Sequence, residues 1–274
     1  MKKDRLQILI SCMHQKDHSI IADSDARADV VVVNQCDREE SETLTFTDRQ
    51  GAEHNATFIS TTQRGLSRSR NMAIRNATAE FCLIADDDEV FEENLSEAIS
   101  EAFDKHPDSD LLIFSVKRKE QEDPEHREKK DAEQEKNIGY IGALHVASCQ
   151  IAFRRKSIID AGITFQENMG SGTGNGAGEE NKFLYDCLRR KLRITYVPLC
   201  VATLSENFSS QWFSAWDKQF FINRGWQTKQ FMGHFFATLY AVFYAVRKHR
   251  MYRSTTSLPA ALYYSLKGIY FTKR

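Results

Sequence analysis

The chain lacks the features of a small stapled or metal-bound domain. Its six cysteines (Cys12, Cys36, Cys82, Cys149, Cys187 and Cys200) are scattered, and no CxxC pair occurs. A zinc site or a disulfide framework needs closer spacing, so these residues read as reduced, mostly buried small apolar groups. Proline is scarce, with four in 274 residues, and 27% of residues are charged, which excludes a collagen-like or disordered chain. Net charge is nearly absent as well, at −1, which argues against a strongly basic nucleic-acid binder or a highly acidic protein. No long apolar run follows Lys2 and Lys3. Residues 6–10 are apolar apart from Gln7 and give way to Ser11-Cys12-Met13-His14-Gln15, so no secretory signal is visible and a cytosolic location is expected.

The near-zero net charge hides a split. Residues 209–274 carry ten Lys/Arg against the single acid Asp217, a local charge of +9, so the rest of the chain carries −10. All three tryptophans (Trp212, Trp216, Trp226) also fall in this segment. Two physically different regions are therefore expected: an acidic domain over residues 1–208 and a basic, aromatic helical tail over 209–274.

The first region alternates compact apolar runs with helical patterns. Residues 6–11, 30–33, 57–60, 81–85, 111–116, 151–153 and 194–197 read as strands, the last ending before Pro198. Residues 67–76, 94–105, 157–161 and 181–190 read as helices. In the first of these, Leu66, Met72, Ala73 and Ala77 are placed to cover a sheet. This order predicts an α/β fold with a doubly wound sheet. Residues 117–138 are almost wholly charged or polar and read as a solvated loop.

Three clusters could carry chemistry. Asp86-Asp87-Asp88 directly follows an apolar strand, at the carboxyl edge where open α/β sheets bind ligands. Carboxylates there suit a hard cation such as Mg²⁺ or Mn²⁺; the plain alternative is a set of acids favouring the next helix start. Six of the 13 glycines fall between Gly162 and Gly178, a segment able to approach a ligand closely. Glu179-Glu180 follows it and opens a helix, where acids are ordinary, but a carboxylate behind a flexible loop is also how a general base is presented. Arg64, Arg68 and Arg70 sit at a helix start, where guanidinium groups can meet phosphate.

Together these motifs resemble family 2 glycosyltransferases over roughly residues 5–200. Gly65-Leu66-Ser67-Arg68-Ser69-Arg70-Asn71 is similar to that family's G-x-x-x-A-R-N helix start. Phe81 to Asp88 is similar to its strand-plus-DxD, and Glu179-Glu180-Asn181-Lys182-Phe183-Leu184 to its E-D helix. The resemblance implies a GT-A fold: a Rossmann-like mixed sheet flanked by helices. It also implies an inverting, metal-dependent transfer from a nucleotide sugar, a UDP-sugar first, to a glycan or lipid-linked acceptor. Asp88, with Asp86, would bind Mn²⁺ or Mg²⁺. Ser11, Asn34, Gln35, Arg64, Arg70, Asp86 and Asp87 would line the donor. Glu180, with Glu179 beside it, would take the place of the catalytic base. The chain departs from the pattern in three places: Asn34-Gln35 stands for D-D, Glu180 for Asp, and the stretch Val201-Ala202-Thr203-Leu204-Ser205-Glu206 after the last strand holds no His. A nucleotidyltransferase and a non-catalytic sugar-nucleotide or membrane-binding module are the rival readings.

The tail repeats one theme. Residues 231–246 are mostly apolar or aromatic and end in Arg247-Lys248-His249-Arg250, and residues 258–271 add Tyr263, Tyr264, Tyr270 and Phe271 beside Lys267. Sixteen helical residues span about 24 Å, short of a hydrocarbon core of about 30 Å. Peripheral attachment to an anionic, cytoplasmic membrane face is expected, with insertion by Phe235, Phe236, Leu239, Val242 and Phe243. The alternative is packing on the catalytic domain or on a second subunit in a homo-oligomer. Nucleic acid is not expected, because the aromatics are grouped rather than interleaved on a basic sheet.

Overall fold

The structure, a computed structural model, describes residues 4–118, 134–204 and 215–272. Apolar runs without helical period form the centre of one mixed sheet. Strands β1 (Leu6–Met13), β2 (Asp29–Gln35), β4 (Glu53–Thr61) and β5 (Phe81–Asp86) are parallel neighbours in the order β4-β2-β1-β5. Beyond β5, strand β9 (Ile151–Arg154) runs antiparallel to both β5 and β7 (Leu111–Arg118). Strand β10 (Ile194–Leu204) then pairs in parallel with β7, and β6 (Glu89–Phe91) closes that end antiparallel to β10. The two-residue β8 (Lys136–Asn137) also pairs with β10. At the other end β3 (Glu40–Thr47) forms an antiparallel hairpin with β4.

Side-chain alternation in the buried strands feeds two separate cores. Ile8, Ile10, Val30, Val32 and Leu83 point to one face, covered by α1 (Ser19–Asp23) and α3 (Leu95–Lys105) through Ile20, Ile99 and Phe103. Leu9, Val31, Val33, Cys82 and Ile84 point to the other. There they meet α2 (Leu66–Asn76), α4 (Arg155–Asp160) and α5 (Glu179–Arg189) through Ile74, Ile158 and Phe183. All six cysteines are free, and five of them are buried.

Several boundaries differ from the sequence reading for physical reasons. Strand β3 was not expected: it lies at the sheet edge, mostly exposed, with only Leu44 and Phe46 turned inward. Strand β10 runs through Pro198 instead of stopping, because the ladder shifts register between Tyr196 and Ala202 and the proline falls where no pairing bond is needed. The polar segment expected as one loop has strand at both described ends, Lys117-Arg118 in β7 and Lys136-Asn137 in β8; residues 119–133 lie outside the described residues.

The tail also departs from expectation. Helix α6 (Lys218–Tyr252) is broken at Gly233, whose φ of 72° and ψ of 173° turn the chain. The Arg224–Tyr240 hydrogen bond (2.7 Å) and the Trp216–Tyr252 ring contact place the two arms antiparallel. Helix α7 (Leu258–Phe271) packs against both arms. It crosses the first arm so closely that a Cβ at Gly225 would lie 2.1 Å from the Ser265 carbonyl oxygen. Residues 231–246 are thus not one helix. No helix among the described residues is long and apolar enough to cross a membrane.

Candidate active site

Parallel pairing brings one end of four strands to a common edge. Ser11 is in register with Asp86 on one side and Val33 on the other, and Asn34 with Cys12 and Ser60. Helix α2 starts above this edge with an unusual buried face: Ser67, Ser69, Arg70 and Asn71 lie inward beside Ala73 and Ile74, whereas Leu66 and Met72 are only partly buried. Apolar residues alone should cover a sheet, so a polar inner face marks a built site.

Arg70 is the hub. Its side chain is 1% exposed, with Nη1 donating to Glu179 Oε1 at 2.9 Å and Nη2 to Asp86 Oδ1 and Ser148 Oγ, both at 2.8 Å. Burial disfavours the charged guanidinium, but Asp86 and Glu179 outweigh it and hold Arg70 protonated. One cation therefore ties the end of β5 to the start of α5. Ser148, from a short turn before β9, also reaches Asp86 Oδ2 at 3.3 Å.

Negative charge exceeds positive here. After Asp86 the chain places Asp87, Asp88 and Glu89, and Glu89 is buried with Oε1 accepting from the Asp86 amide at 2.9 Å. Glu89 Oε2 and Glu179 Oε2 are buried without a hydrogen-bond partner among the described residues. Burial, then Asp86 and Asp87, pushes the Asp88 carboxyl up to about 6; burial first also raises Asp87, and it holds Glu89 well above the usual range. Carboxylates with surplus charge at a strand end, beside the buried Cys149, supply the oxygen donors a hard divalent cation takes.

The glycine segment closes over the other acidic pair. At Gly170 (φ 94°) a Cβ would lie 3.0 Å from the Glu179 carboxyl carbon and 3.2 Å from Ser67 Oγ, so only glycine passes there. At Gly172 (φ 82°) it would lie 3.3 Å from the Gly65 Cα, so the loop runs backbone against backbone over the start of α2. Glu179 turns inward to Arg70, whereas Glu180, partly buried, has its carboxyl pushed up to about 8 by burial and by the Glu179 charge.

The remaining expected residues are engaged with protein groups. Asn34 is buried, its amide nitrogen donating to the Gln15 carbonyl (2.9 Å) and its oxygen accepting from the Gln15 amide (3.0 Å). Gln35 Oε1 accepts from the Gly65 amide at 2.7 Å, and Ser11 Oγ accepts from Ser69 Oγ at 2.9 Å. The three arginines do not converge as expected of a phosphate cluster. Arg64 donates to the carbonyls of Cys36, Thr61 and Thr62 and pairs with Asp37; Arg68 pairs with Glu167; Arg70 is interior. Helical geometry explains part of this, since residues 68 and 70 point about 200° apart. Sequence reasoning missed Ser148, Ser67, Ser69 and Glu89. The signal for Glu89 was present, because the acid run has four members rather than three. Of the histidine-free stretch 201–206, residues 201–204 form the end of β10, and 205 and 206 lie outside the described residues.

A second titratable cluster lies at the opposite end of the sheet. Asp4, Asp29 and His54 have ligand-capable atoms within 4.8 Å of one another, before or at the starts of β1, β2 and β4. His54 is bridged by Asp4 (2.7 Å) and Asp48 (3.3 Å), and Asp29 Oδ1 accepts from the Asn55 amide. These partners satisfy the cluster without a cation, and it is distant in the fold from Asp86–Asp88.

Comparison with known proteins agrees with this geometry. The family model described as Glycosyl transferase family 2 matches residues 12–162. The structure of S. aureus TarS 1-349 in complex with UDP-GlcNAc aligns with a TM-score of 0.60 at 16% identity, over 92% of this chain and 74% of that one. A longer S. aureus TarS structure aligns at 0.57 and 16% identity, over 91% and 44% of the two chains. The mannosyltransferase PcManGT from Pyrobaculum calidifontis, in complex with GDP-Man and Mn²⁺, aligns at 0.50 and 14% identity, over 97% and 74%. No curated protein matches the chain at a significant level. With more than half of its length matched by one family model and a mixed sheet shared with GT-A glycosyltransferases, the chain belongs to glycosyl transferase family 2.

Proposed function

We propose that the chain moves a sugar from a nucleotide-diphosphate donor to an acceptor hydroxyl by direct displacement, inverting the anomeric centre. The observation that carries this reading is the junction on Arg70 of Asp86, at the carboxyl edge of β5, with Glu179, at the start of α5. Asp88 and Asp86 would hold a divalent cation, Mn²⁺ or Mg²⁺, whose chemistry is to neutralise the diphosphate leaving group. Glu180 accepts the proton of the acceptor hydroxyl as that oxygen attacks, and its raised affinity for protons suits a base. Glu179 is spent on Arg70 and acts as a positioning residue, fixing the helix start from which Glu180 projects. Asn34 and Gln35 hold the backbone of Gln15 and Gly65 in place at the strand edge where the donor would lie.

The donors and cation named in the neighbouring structures support a nucleotide sugar of the UDP or GDP type. A UDP-sugar is the first choice, and a cell-surface glycan or glycolipid the product class. The test is a panel of UDP- and GDP-sugars with and without Mn²⁺, read by nucleoside diphosphate release and by NMR of the product anomer. Metal-dependent release with an inverted product is expected, and it should vanish in Asp88→Asn and Glu180→Gln. Pyrophosphate release from a nucleoside triphosphate would make the chain a nucleotidyltransferase instead. Binding of donors with no turnover would make it a non-catalytic module.

A further inference from the structure

The second arm of α6 reverses the usual order of large and small side chains. Its inward face is built from Ala237, Ala241 and Ala245, which are buried, with Ala237 and Ala241 against Ile269 of α7. Its outward face carries Phe235 (69% exposed), Phe236, Leu239, Val242, Phe243 (61% exposed) and Val246, each about 45% exposed or more. At 100° per residue, all six fall within about a third of the helix circumference. A soluble helix leaves its small or polar residues to water, and an unbroken apolar strip of this size marks a contact surface.

Charge decides the occupant. Residues 234–272 contain Arg247, Lys248, Arg250, Arg253 and Lys267 and no Asp or Glu. Arg247, Arg250 and Lys267 are exposed, and Arg250 projects from the same side of the helix as Phe243 and Val246. Tyr263, Tyr270 and Phe271 are exposed on α7, and the Tyr270 hydroxyl lies 2.9 Å from Thr238 Oγ1, which joins the two helices at this point. A second copy of the chain would bring cations against cations across a two-fold contact. An anionic lipid surface accepts the aromatic side chains and neutralises the basic rim at once.

We propose that the outward face of residues 235–246, with the basic rim around it, docks the protein on an anionic lipid bilayer. The Gly233 turn makes this compatible with the site. The first arm before the turn braces the glycine loop: Phe231 lies against Gly178, a Cβ at Gly176 would meet the Gln227 amide, and Arg189 of α5 donates to the Phe231 carbonyl at 2.5 Å. The docking arm and the arm that supports Glu179 and Glu180 are therefore one folded unit, and docking holds the site at a fixed place relative to the lipid surface. Docking itself does not depend on the transferase reading; only a lipid-linked acceptor would.

Flotation of the full chain with phosphatidylcholine vesicles, with and without phosphatidylglycerol, tests the proposal. Co-flotation with the anionic vesicles only is expected, with salt removing part of it, since the apolar component is unscreened. Phe235→Ser and Phe243→Ser should each weaken vesicle binding about tenfold, because each removes a phenyl group from lipid. Both positions are exposed, so circular dichroism should stay native and donor turnover in solution should be unchanged. Failure of the chain to float with anionic vesicles overturns the proposal. So does a wild-type dimer by light scattering that Phe243→Ser converts to a monomer, which would assign the face to a second copy.

Discussion

Arg70 and Glu179, 109 residues apart in the chain, meet at 2.9 Å in the interior, and Arg70 meets Asp86 at 2.8 Å with the same guanidinium. A buried cation between two carboxylates is worth little against an apolar replacement of the whole group, but breaking it from one side strands a charge. Arg70→Met should therefore destabilise the fold by about 3 kcal/mol or more in denaturant unfolding. Glu179→Gln keeps a hydrogen-bond acceptor for Arg70 and should cost less. If Glu179 only positions, Glu179→Gln should also retain measurable turnover where Glu180→Gln has none.

Glu180 should set the acidic limb of the pH profile. Its carboxyl is raised first by burial and then by Glu179, so it binds its proton well above the usual carboxylate range. A base must be unprotonated to act, and turnover should therefore rise as pH climbs through the region around pH 8 and fall on acidification. Arg70→Met, which removes the cation that opposes this shift, should move the limb further to alkaline pH. A limb that stays unmoved in Arg70→Met, with turnover still measurable, would separate Glu180 from this cluster.

The parts of the fold legible in the sequence are those where one pattern dominates. β1, β2, β5 and β7 are apolar runs buried on both faces, and α3 and α5 bury one stripe at helical spacing. Glu40–Thr47 escaped because an edge strand half in water has no such signature. The candidate site was legible as a set of acids and glycines at a strand end, and its wiring was not. Arg70 reads as one of three arginines at a helix start; that it lies inside depends on carboxylates 16 and 109 positions away in sequence. Ser148 has no periodic context at all, and Gly233 reads as one weak position in an apolar run until its dihedrals reverse the chain.

His54 should make stability depend on pH. The Asp4 hydrogen bond, against desolvation and with help from Asp48, raises the imidazole above its ordinary value of about 6.5. A group raised on folding contributes fully below its unfolded value and loses that contribution as pH rises through its folded value. The wild type should lose stability from near neutral pH upward, by about 2 kcal/mol at most, as the charged hydrogen bonds to Asp4 and Asp48 weaken. In His54→Gln, unfolding midpoints taken across that range should be flat and lower on the acid side. A wild-type curve with no slope above neutral pH would remove this bridge from the stability of the β3–β4 hairpin.

The α6–α7 crossing should be the most glycine-dependent contact in the tail. A Cβ at Gly268 would lie 2.1 Å from the Ile222 carbonyl oxygen and 2.9 Å from the Trp226 nitrogen, all backbone atoms that cannot rotate away. Gly268→Ala must push the helices apart, and overpacking of this kind costs about 1–3 kcal/mol. The gap would open beside Trp226, which is 1% exposed, so its fluorescence should shift to the red and protease sensitivity should rise in the tail. Gly139→Ala is the matched control, since a Cβ there has nothing within 4 Å. Because the first arm also braces the glycine loop, Gly268→Ala should lower turnover as well as vesicle binding, whereas Phe243→Ser should lower vesicle binding alone. If Gly268→Ala leaves Trp226 emission and turnover at wild-type values, the tail and the site are not mechanically joined.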